Sequence, residues 1–171
     1  MKIVKRILIV IASLIVIAFM LPKTSKLERS IVIHAPADSI FAQINSFQNW
    51  VNWNPWQNKD TTMRISYYGP VAGVGATQQF KGESGYGKLS IVESVPNSYI
   101  IFTLQFEDMT PQNGVYNLED EDNGNTKLIF SMDISAGNNP VLRYMNFIMK
   151  WMMQKDFETA LANIKSITEQ K

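Results

Sequence analysis

The sequence predicts an α+β fold in which a curved antiparallel sheet of about six to seven strands encloses one long C-terminal helix. Apolar residues recur every three or four positions from Pro140 to Thr168, which is the stripe of an amphipathic helix. Between Ser30 and this helix, short alternating segments are separated by turn residues, as is typical of β-strands. The helix, roughly 40 Å long at about 1.5 Å per residue, must bury its stripe, and the strands provide the surface for it.

The predicted strands follow from alternation and turns. The first strand is expected at Ser30–His34, followed by two short helical pieces, one carrying Ile40 and Ile44 and the other around Ser46–Trp53. Asn123-Gly124 is a strong hairpin signal between the last two strands. The strands after the short helices are expected at residues 63–68, 76–81, 88–95, 99–106, 114–119 and 126–133.

The terminal helix is predicted to begin with Asn139 as its cap and Pro140 at its first position. Its halves differ, because the apolar run from Val141 to Met153 is interrupted only by Arg143, Asn146 and Lys150. Methionine is unbranched and polarisable, and four of the residues in this half are methionines. This half therefore fits either an ordinary core helix that fills irregular gaps, or a cavity wall or membrane-facing patch.

An apolar run broken only by Ser13 extends from Ile7 to Leu21 near the amino terminus. Fifteen residues fall short of the roughly 20 that cross a bilayer, but the run lengthens if Lys5 and Arg6 snorkel toward the headgroups. A cleaved secretory signal has the same layout. No small-x-small cleavage site precedes Pro22, so an uncleaved signal anchor is favoured.

This interpretation divides the chain into an anchor and linker at residues 1–26 and a folded domain at residues 27–171. The anchor would be a single-pass transmembrane helix that holds the protein to a bacterial inner membrane through residues 7–21. Three basic residues lie on each side of the run, so only the free amino terminus favours an inner N-terminus and an extracytoplasmic domain.

The charge distribution excludes some partners. Up to Arg29 the chain has a net charge of +5, whereas the rest carries ten basic and fourteen acidic residues. Nucleic-acid binding by the domain is disfavoured, because it needs a clustered basic face. With no cysteine in the chain, disulfides, thiol catalysis and lipoprotein acylation are excluded.

Five sets of segments carry a resemblance to a known family: Ser30–Ala37 with Ile40-Phe41, Asn49–Trp56, Gly69-Pro70 with Gly73–Ala76, Ile91–Asn97, and Asp156–Glu158 with Leu161–Lys165. Together they resemble the START-like superfamily, also described as SRPBCC or polyketide-cyclase-like proteins. The resemblance covers the chain from about Leu27 to its end and implies a helix-grip fold with an apolar cavity between the sheet and the terminal helix. It also implies that the protein binds an apolar small molecule such as a lipid, sterol, polyketide or quinone, since only a minority of members are enzymes.

Candidate cavity residues are those on the inward face of each predicted strand, together with tryptophans and methionines of the helical segments. Trp50 is expected to plug the short helices onto the sheet, while Trp53 and Trp56 fit either a plug or the cavity mouth. Glu93 shares a face with apolar residues, although a bulge or a rim position would leave it solvated. The full set of candidates is Trp53, Trp56, Tyr67, Gln78, Phe80, Glu93, Phe102, Phe130, Met149 and Met152.

No metal or cofactor site is predicted. His34 is the only histidine, and no carboxylate cluster with metal-ligand spacing surrounds it, so a surface turn residue is expected there. Gly73-Val74-Gly75 lacks the third glycine and the following helix of a phosphate-binding loop.

Two main functional hypotheses follow. The first is a membrane-tethered binding module for a small apolar ligand, with no catalytic residues. The second is a cyclase- or dehydratase-like enzyme that uses Glu93 or Tyr67 as an acid–base group, although a general acid or base usually needs an orienting partner. A co-chaperone or protein-interaction role on the same fold is a third hypothesis.

Overall fold

The computed structural model describes residues 2–83, 85–107, 110–136 and 139–170, with the backbone alone at residues 58, 147 and 149. The helices are α1 (Lys2–Met20), α2 (Ala37–Ile44), α3 (Pro55–Lys59) and α4 (Pro140–Glu169), with 3₁₀ turns at Asn49–Asn52 and Asp122–Gly124. The strands are β1 (Thr24–Ile33), β2 (Arg64–Tyr68), β3 (Thr77–Gly82), β4 (Gly85–Val95), β5 (Tyr99–Phe106), β6 (Gln112–Glu121) and β7 (Asn125–Ser135).

The seven strands form one antiparallel sheet in the order β1-β7-β6-β5-β4-β3-β2. The long C-terminal helix packs on the face that carries the buried strand residues, so the predicted α+β helix-grip plan is confirmed. Consecutive strands from β2 to β7 are joined as hairpins. At the β6–β7 turn Asn123 and Gly124 both have positive φ, as the Asn-Gly signal predicts.

The first strand is longer than the sequence pattern predicts. It begins at Thr24 rather than Ser30, because β1 pairs with β7 along its whole length, from Thr24 opposite Ser135 to Ile33 opposite Thr126. Lys26 and Glu28 point to solvent and form an ion pair. Because this segment is polar, its sequence alone resembles a linker rather than a strand.

Helix α4 begins as predicted, since the Asn139 side chain accepts hydrogen bonds from the backbone N–H groups of Val141 and Leu142 at 2.9 and 3.3 Å. The predicted apolar stripe faces the core only in the second half of the helix, where Phe157 and Ile164 are fully buried. In the first half the arrangement is reversed, with polar residues inward and most of the apolar ones exposed.

The N-terminal helix α1 is long and apolar enough to cross a membrane, a property that a signal sequence shares. Its C-terminal end contacts the first half of α4. There the Arg143 guanidinium donates hydrogen bonds to the carbonyls of Ala18, Phe19 and Leu21, and the Tyr144 hydroxyl donates to the carbonyl of Leu14 at 2.7 Å.

Candidate ligand-binding cavity

A cavity of about 340 Å³ lies between the sheet, α3 and α4. Strands β3, β4, β5 and β7 form one wall, and residues of α3 and α4 form the other. Most of its lining is aliphatic or aromatic, which suits an apolar molecule. The lining residues are Trp50, Asn54, Trp56, Gln57, Lys59, Met63, Gln78, Phe80, Leu89, Phe102, Leu104, Phe106, Phe130, Met132 and Met153.

Two glycines shape the sheet side of the cavity. Phe102 lies opposite Gly114 on the neighbouring strand, and Phe80 lies opposite Gly87. In both pairs a Cβ on the glycine would collide with the phenylalanine ring, so each ring lies flat across a strand that has no side chain there. The glycines therefore set how far the rings project into the cavity.

An aromatic cluster closes the base of the cavity. The Trp50 ring meets Phe102 edge-on at 5.3 Å, and Phe130 stacks on Phe157 of α4 at 3.8 Å with an interplanar angle of 11°. The indole N–H of Trp50 donates to the carbonyl of Ile44 at 3.0 Å, so this ring presents only its apolar surface to the cavity.

The helical wall is held by polar contacts at its edge. Asn54 caps α3 by accepting a hydrogen bond from the backbone N–H of Trp56 at 3.0 Å, which fixes the tryptophan next to the cavity. The ammonium of Lys59 pairs with the carboxylate of Asp156 at 2.6 Å and so joins α3 to α4. One turn earlier on α4, Met153 lines the cavity.

Two polar groups on the lining have no hydrogen-bond partner among the described residues. They are the side-chain oxygen of Gln78, a residue only 1% exposed, and the side-chain nitrogen of Gln57. A buried polar atom without a partner costs about 1–3 kcal/mol. An acceptor and a donor on the same lining can each be satisfied by a hydrogen-bonding group of a molecule that enters this otherwise apolar space.

Five of the sequence-predicted site residues line the cavity: Trp56, Gln78, Phe80, Phe102 and Phe130. Strand parity also accounts for Leu104, Phe106 and Met132, which share the inward faces of their strands. Sequence reasoning missed Asn54, Gln57 and Lys59, because their positions depend on the short helix α3 and no periodic signal marks them.

Three other candidates lie elsewhere. Trp53 is buried but plugs the short helices, with its indole N–H donating to the carbonyl of Gln43 at 3.3 Å. Tyr67 borders a separate pocket of about 100 Å³, and burial raises the pKa of its phenol. Met152 is exposed, and Met153 takes the inward position one residue along α4.

Glu93 is the fourth exception, and the alternative of a bulge is confirmed. The register of β4 against β5 shifts between Ile91 and Glu93, which turns Glu93 to solvent instead of the inward face. There its carboxylate accepts a hydrogen bond from the Tyr99 hydroxyl, and this bond raises the pKa of Tyr99. The side chain of the last candidate, Met149, lies outside the described residues.

His34 lies at the surface between β1 and α2, as predicted, and its Nδ1 is 3.0 Å from the side-chain oxygen of Asn125. Within the described part of the chain, no group of three or more histidine, cysteine, aspartate or glutamate residues could hold a metal ion.

A sheet gripping a long helix around an apolar cavity defines a class of ligand-binding or cyclase-like modules. The chain belongs to the polyketide cyclase / dehydrase and lipid transport family, whose sequence pattern matches residues 24–169. No curated protein sequence matches the chain.

Solved structures share the fold at low sequence identity. Norcoclaurine synthase from Thalictrum flavum superposes with a TM-score of 0.65 at 13% identity, over 86% of this chain and 95% of that one. The Aha1 dimer from Colwellia psychrerythraea gives 0.59 at 16% identity, over 85% and 96%. The di-domain ARO/CYC protein BexL gives 0.61 at 12% identity, over 87% of this chain and 51% of that one. Identities this low show the fold alone.

Proposed function

We propose that this protein is a membrane-tethered binding module for a small, mostly apolar ligand that carries one uncharged hydrogen-bonding group. The observation that carries the proposal is the 340 Å³ cavity, whose apolar lining contains the side-chain oxygen of Gln78 and the side-chain nitrogen of Gln57, neither of which has a partner among the described residues. Its volume falls at the lower end of the roughly 300–1,000 Å³ typical of small-molecule sites.

The lining favours a neutral ligand over a charged one. Lys59 is the only ionisable residue among the described lining residues, and its charge is already paired with Asp156. An anionic headgroup inside the cavity would lose its hydration with no free cation to compensate for it. A hydroxyl group both donates and accepts, so it suits either amide whichever way that amide is turned.

The same lining argues against an enzyme that uses Glu93 or Tyr67 as its acid–base group. Glu93 and Tyr67, the two residues proposed for that role, lie outside the cavity. General acid–base chemistry needs a titratable group within hydrogen-bonding reach of the reacting atoms. Because neither Glu93 nor Tyr67 lines the cavity, the structure supports the binding hypothesis better than the enzyme hypothesis.

The tether in this proposal is α1, retained on the mature protein, with the domain on the extracytoplasmic side. Its apolar length, the missing cleavage site before Pro22 and the attachment of its C-terminal end to Arg143 support this role. A helix that is removed after export would have no need of a buried arginine that binds its last carbonyls.

Native mass spectrometry of the full chain, extracted gently from membranes, tests both parts. We expect a mass that includes α1, with a neutral apolar molecule bound. A soluble species that starts between Pro22 and Glu28 would contradict the tether, and a homogeneous chain that never carries or takes up an apolar molecule would contradict the binding role.

Replacing Gln78 with Leu tests the polar end of the ligand. Because the substitution removes a buried acceptor without a partner, we expect the ligand-free domain to gain about 1 kcal/mol in stability. Fluorescence of the cavity tryptophans, titrated with 1-decanol, decane and decanoate, should show that the variant loses its preference for decanol over decane. Gln79→Leu, on the opposite face of β3, is the matched control and should keep that preference. Tighter binding of decanoate than decanol by the parent chain would contradict the neutral-ligand assignment.

A further inference from the structure

The first half of α4 exposes an apolar surface, which we name the outer face: Val141, Met145, Ile148, Trp151 and Met152. Each of these side chains is between 47% and 76% exposed. Val141, Met145, Ile148 and Met152 are spaced by three or four residues, so they form a stripe about 16 Å long at 1.5 Å per residue. Soluble proteins rarely expose large apolar side chains in a continuous stripe unless a partner covers them.

The orientation of this half of the helix is fixed by the polar residues on its inner side. Arg143 and Asn146 are 3% and 6% exposed. The Asn146 amide donates to the carbonyl of Ile134 at 3.2 Å, and Arg143 binds three carbonyls at the end of α1. Rotating the helix to bury its apolar stripe would break all of these hydrogen bonds.

The contact between α1 and α4 indicates what covers the outer face. Arg143 binds the carbonyls of Ala18 and Phe19 and lies 5.1 Å from the centre of the Phe19 ring. Tyr144 binds the carbonyl of Leu14, which is five residues, or roughly 7 Å of helix, before Phe19. The start of α4 therefore runs beside the last turns of α1. If α1 crosses a bilayer, the start of α4 lies at the depth of the headgroups and the upper acyl chains.

The composition of the outer face suits that depth. Trp151 is the most exposed of its five residues, and tryptophan is enriched where lipid meets water. Lys155, which is exposed, follows Trp151 and Met152 by one turn of the helix, where lysine can reach lipid phosphates.

We propose that the outer face of α4 lies in the interfacial region of the bilayer that α1 crosses. This inference rests on the proposed function in that α1 must remain on the chain and cross the bilayer. The protein is then held to the membrane by a spanning helix and by a second helix that lies in its surface.

This arrangement has a consequence for the cavity. Met152 belongs to the outer face, and the next residue, Met153, lines the cavity. The membrane surface and the α4 wall of the cavity are therefore one residue apart.

The chain has no cysteine, so single cysteines can be labelled without any background. The full chain would be placed in phosphatidylcholine nanodiscs with an environment-sensitive fluorophore on Met152→Cys. The matched control is Ala162→Cys, an exposed site on the second half of the same helix. We expect lipids with a shallow nitroxide to quench the label at 152 at least about threefold more than the label at 162, and aqueous iodide to show the reverse order.

Further variants and controls make this test decisive. Adding Ile148→Glu to Met152→Cys replaces an exposed side chain, so it should leave folding intact and reduce the quenching by lipid. Equal iodide access at both sites with no quenching by lipid would overturn the proposal. Shielding of residue 152 from both quenchers would also overturn it, because protein rather than lipid would then cover the site. Intact mass of the sample confirms that α1 is present, and decanol binding in the same nanodiscs reports on the cavity separately.

Discussion

The two halves of α4 use similar apolar residues in opposite ways. In the second half, Phe157, Ala160 and Ile164 are fully buried against the sheet. In the first half, Arg143 and Asn146 take inward positions and most of the described apolar side chains are exposed. The comparison teaches that helical periodicity identifies an apolar face but does not say which environment covers it.

The difference arises from what each half packs against. The second half meets β1, β7 and α2, which offer apolar side chains. The first half meets the C-terminal end of α1, where the last carbonyls of the helix have no intrahelical partners and carry partial negative charge. A buried guanidinium satisfies these carbonyls, so polar residues face inward at this end of α4.

The largest change in stability that would separate the two halves of α4 is expected from Phe157→Ala. The ring is fully buried and stacks on Phe130, so its removal leaves a void and should lower the free energy of unfolding by about 3–5 kcal/mol. The matched control is Ile148→Ala on the outer face, for which we expect a change within about 0.5 kcal/mol. Denaturant unfolding measures both. Similar losses at the two sites would mean that the halves are packed alike.

A smaller effect is expected where the helix borders the cavity. A methionine in a packed core costs about 2–5 kcal/mol when it is truncated to alanine, because a new void forms. At Met153 the space already exists, so Met153→Ala should cost only the transfer free energy of the lost atoms, about 1–2 kcal/mol, and should weaken decanol binding. Met152→Ala, one residue away on the outer face, should leave both quantities unchanged. A loss above about 3 kcal/mol at Met153, with no saturable ligand binding by the parent chain, would show a solid core there.

Much of the fold was predictable because it depends on local patterns. The strand sequence, the Asn123-Gly124 turn, the Asn139 cap and the sheet-plus-helix plan all follow from periodicity and turn chemistry. The inward strand positions of Gln78, Phe102 and Phe130 follow from parity alone. These features need no knowledge of distant parts of the chain.

The errors have long-range causes. Glu93 lies outside the cavity because a bulge shifts its register against β5, an alternative that the sequence left open without deciding it. The first six residues of β1 form a strand because β7 pairs with them. The identity of the inward methionine depends on the rotation of α4, which Arg143 fixes through contacts with residues more than 120 positions away.

The smallest change in stability is expected at the C-terminal end of α4, where it depends on pH. The Glu169 carboxylate accepts hydrogen bonds from Lys165 at 2.7 Å and from the backbone N–H of His34 at 2.7 Å, and these contacts lower the pKa of Glu169. A lowered pKa in the folded state contributes stability that is present above the ordinary glutamate value of 4.5 and is lost as the pH falls through the folded value. Glu169→Gln should therefore reduce stability near neutral pH and flatten the loss of stability below pH 4.5.

His34→Asn keeps the backbone donor, and we expect a change in the free energy of unfolding within about 0.5 kcal/mol at pH 7. Unfolding curves between pH 3 and 7 measure both variants. A loss above about 2 kcal/mol for His34→Asn would show that the imidazole itself, and not the backbone N–H, ties the helix to β1.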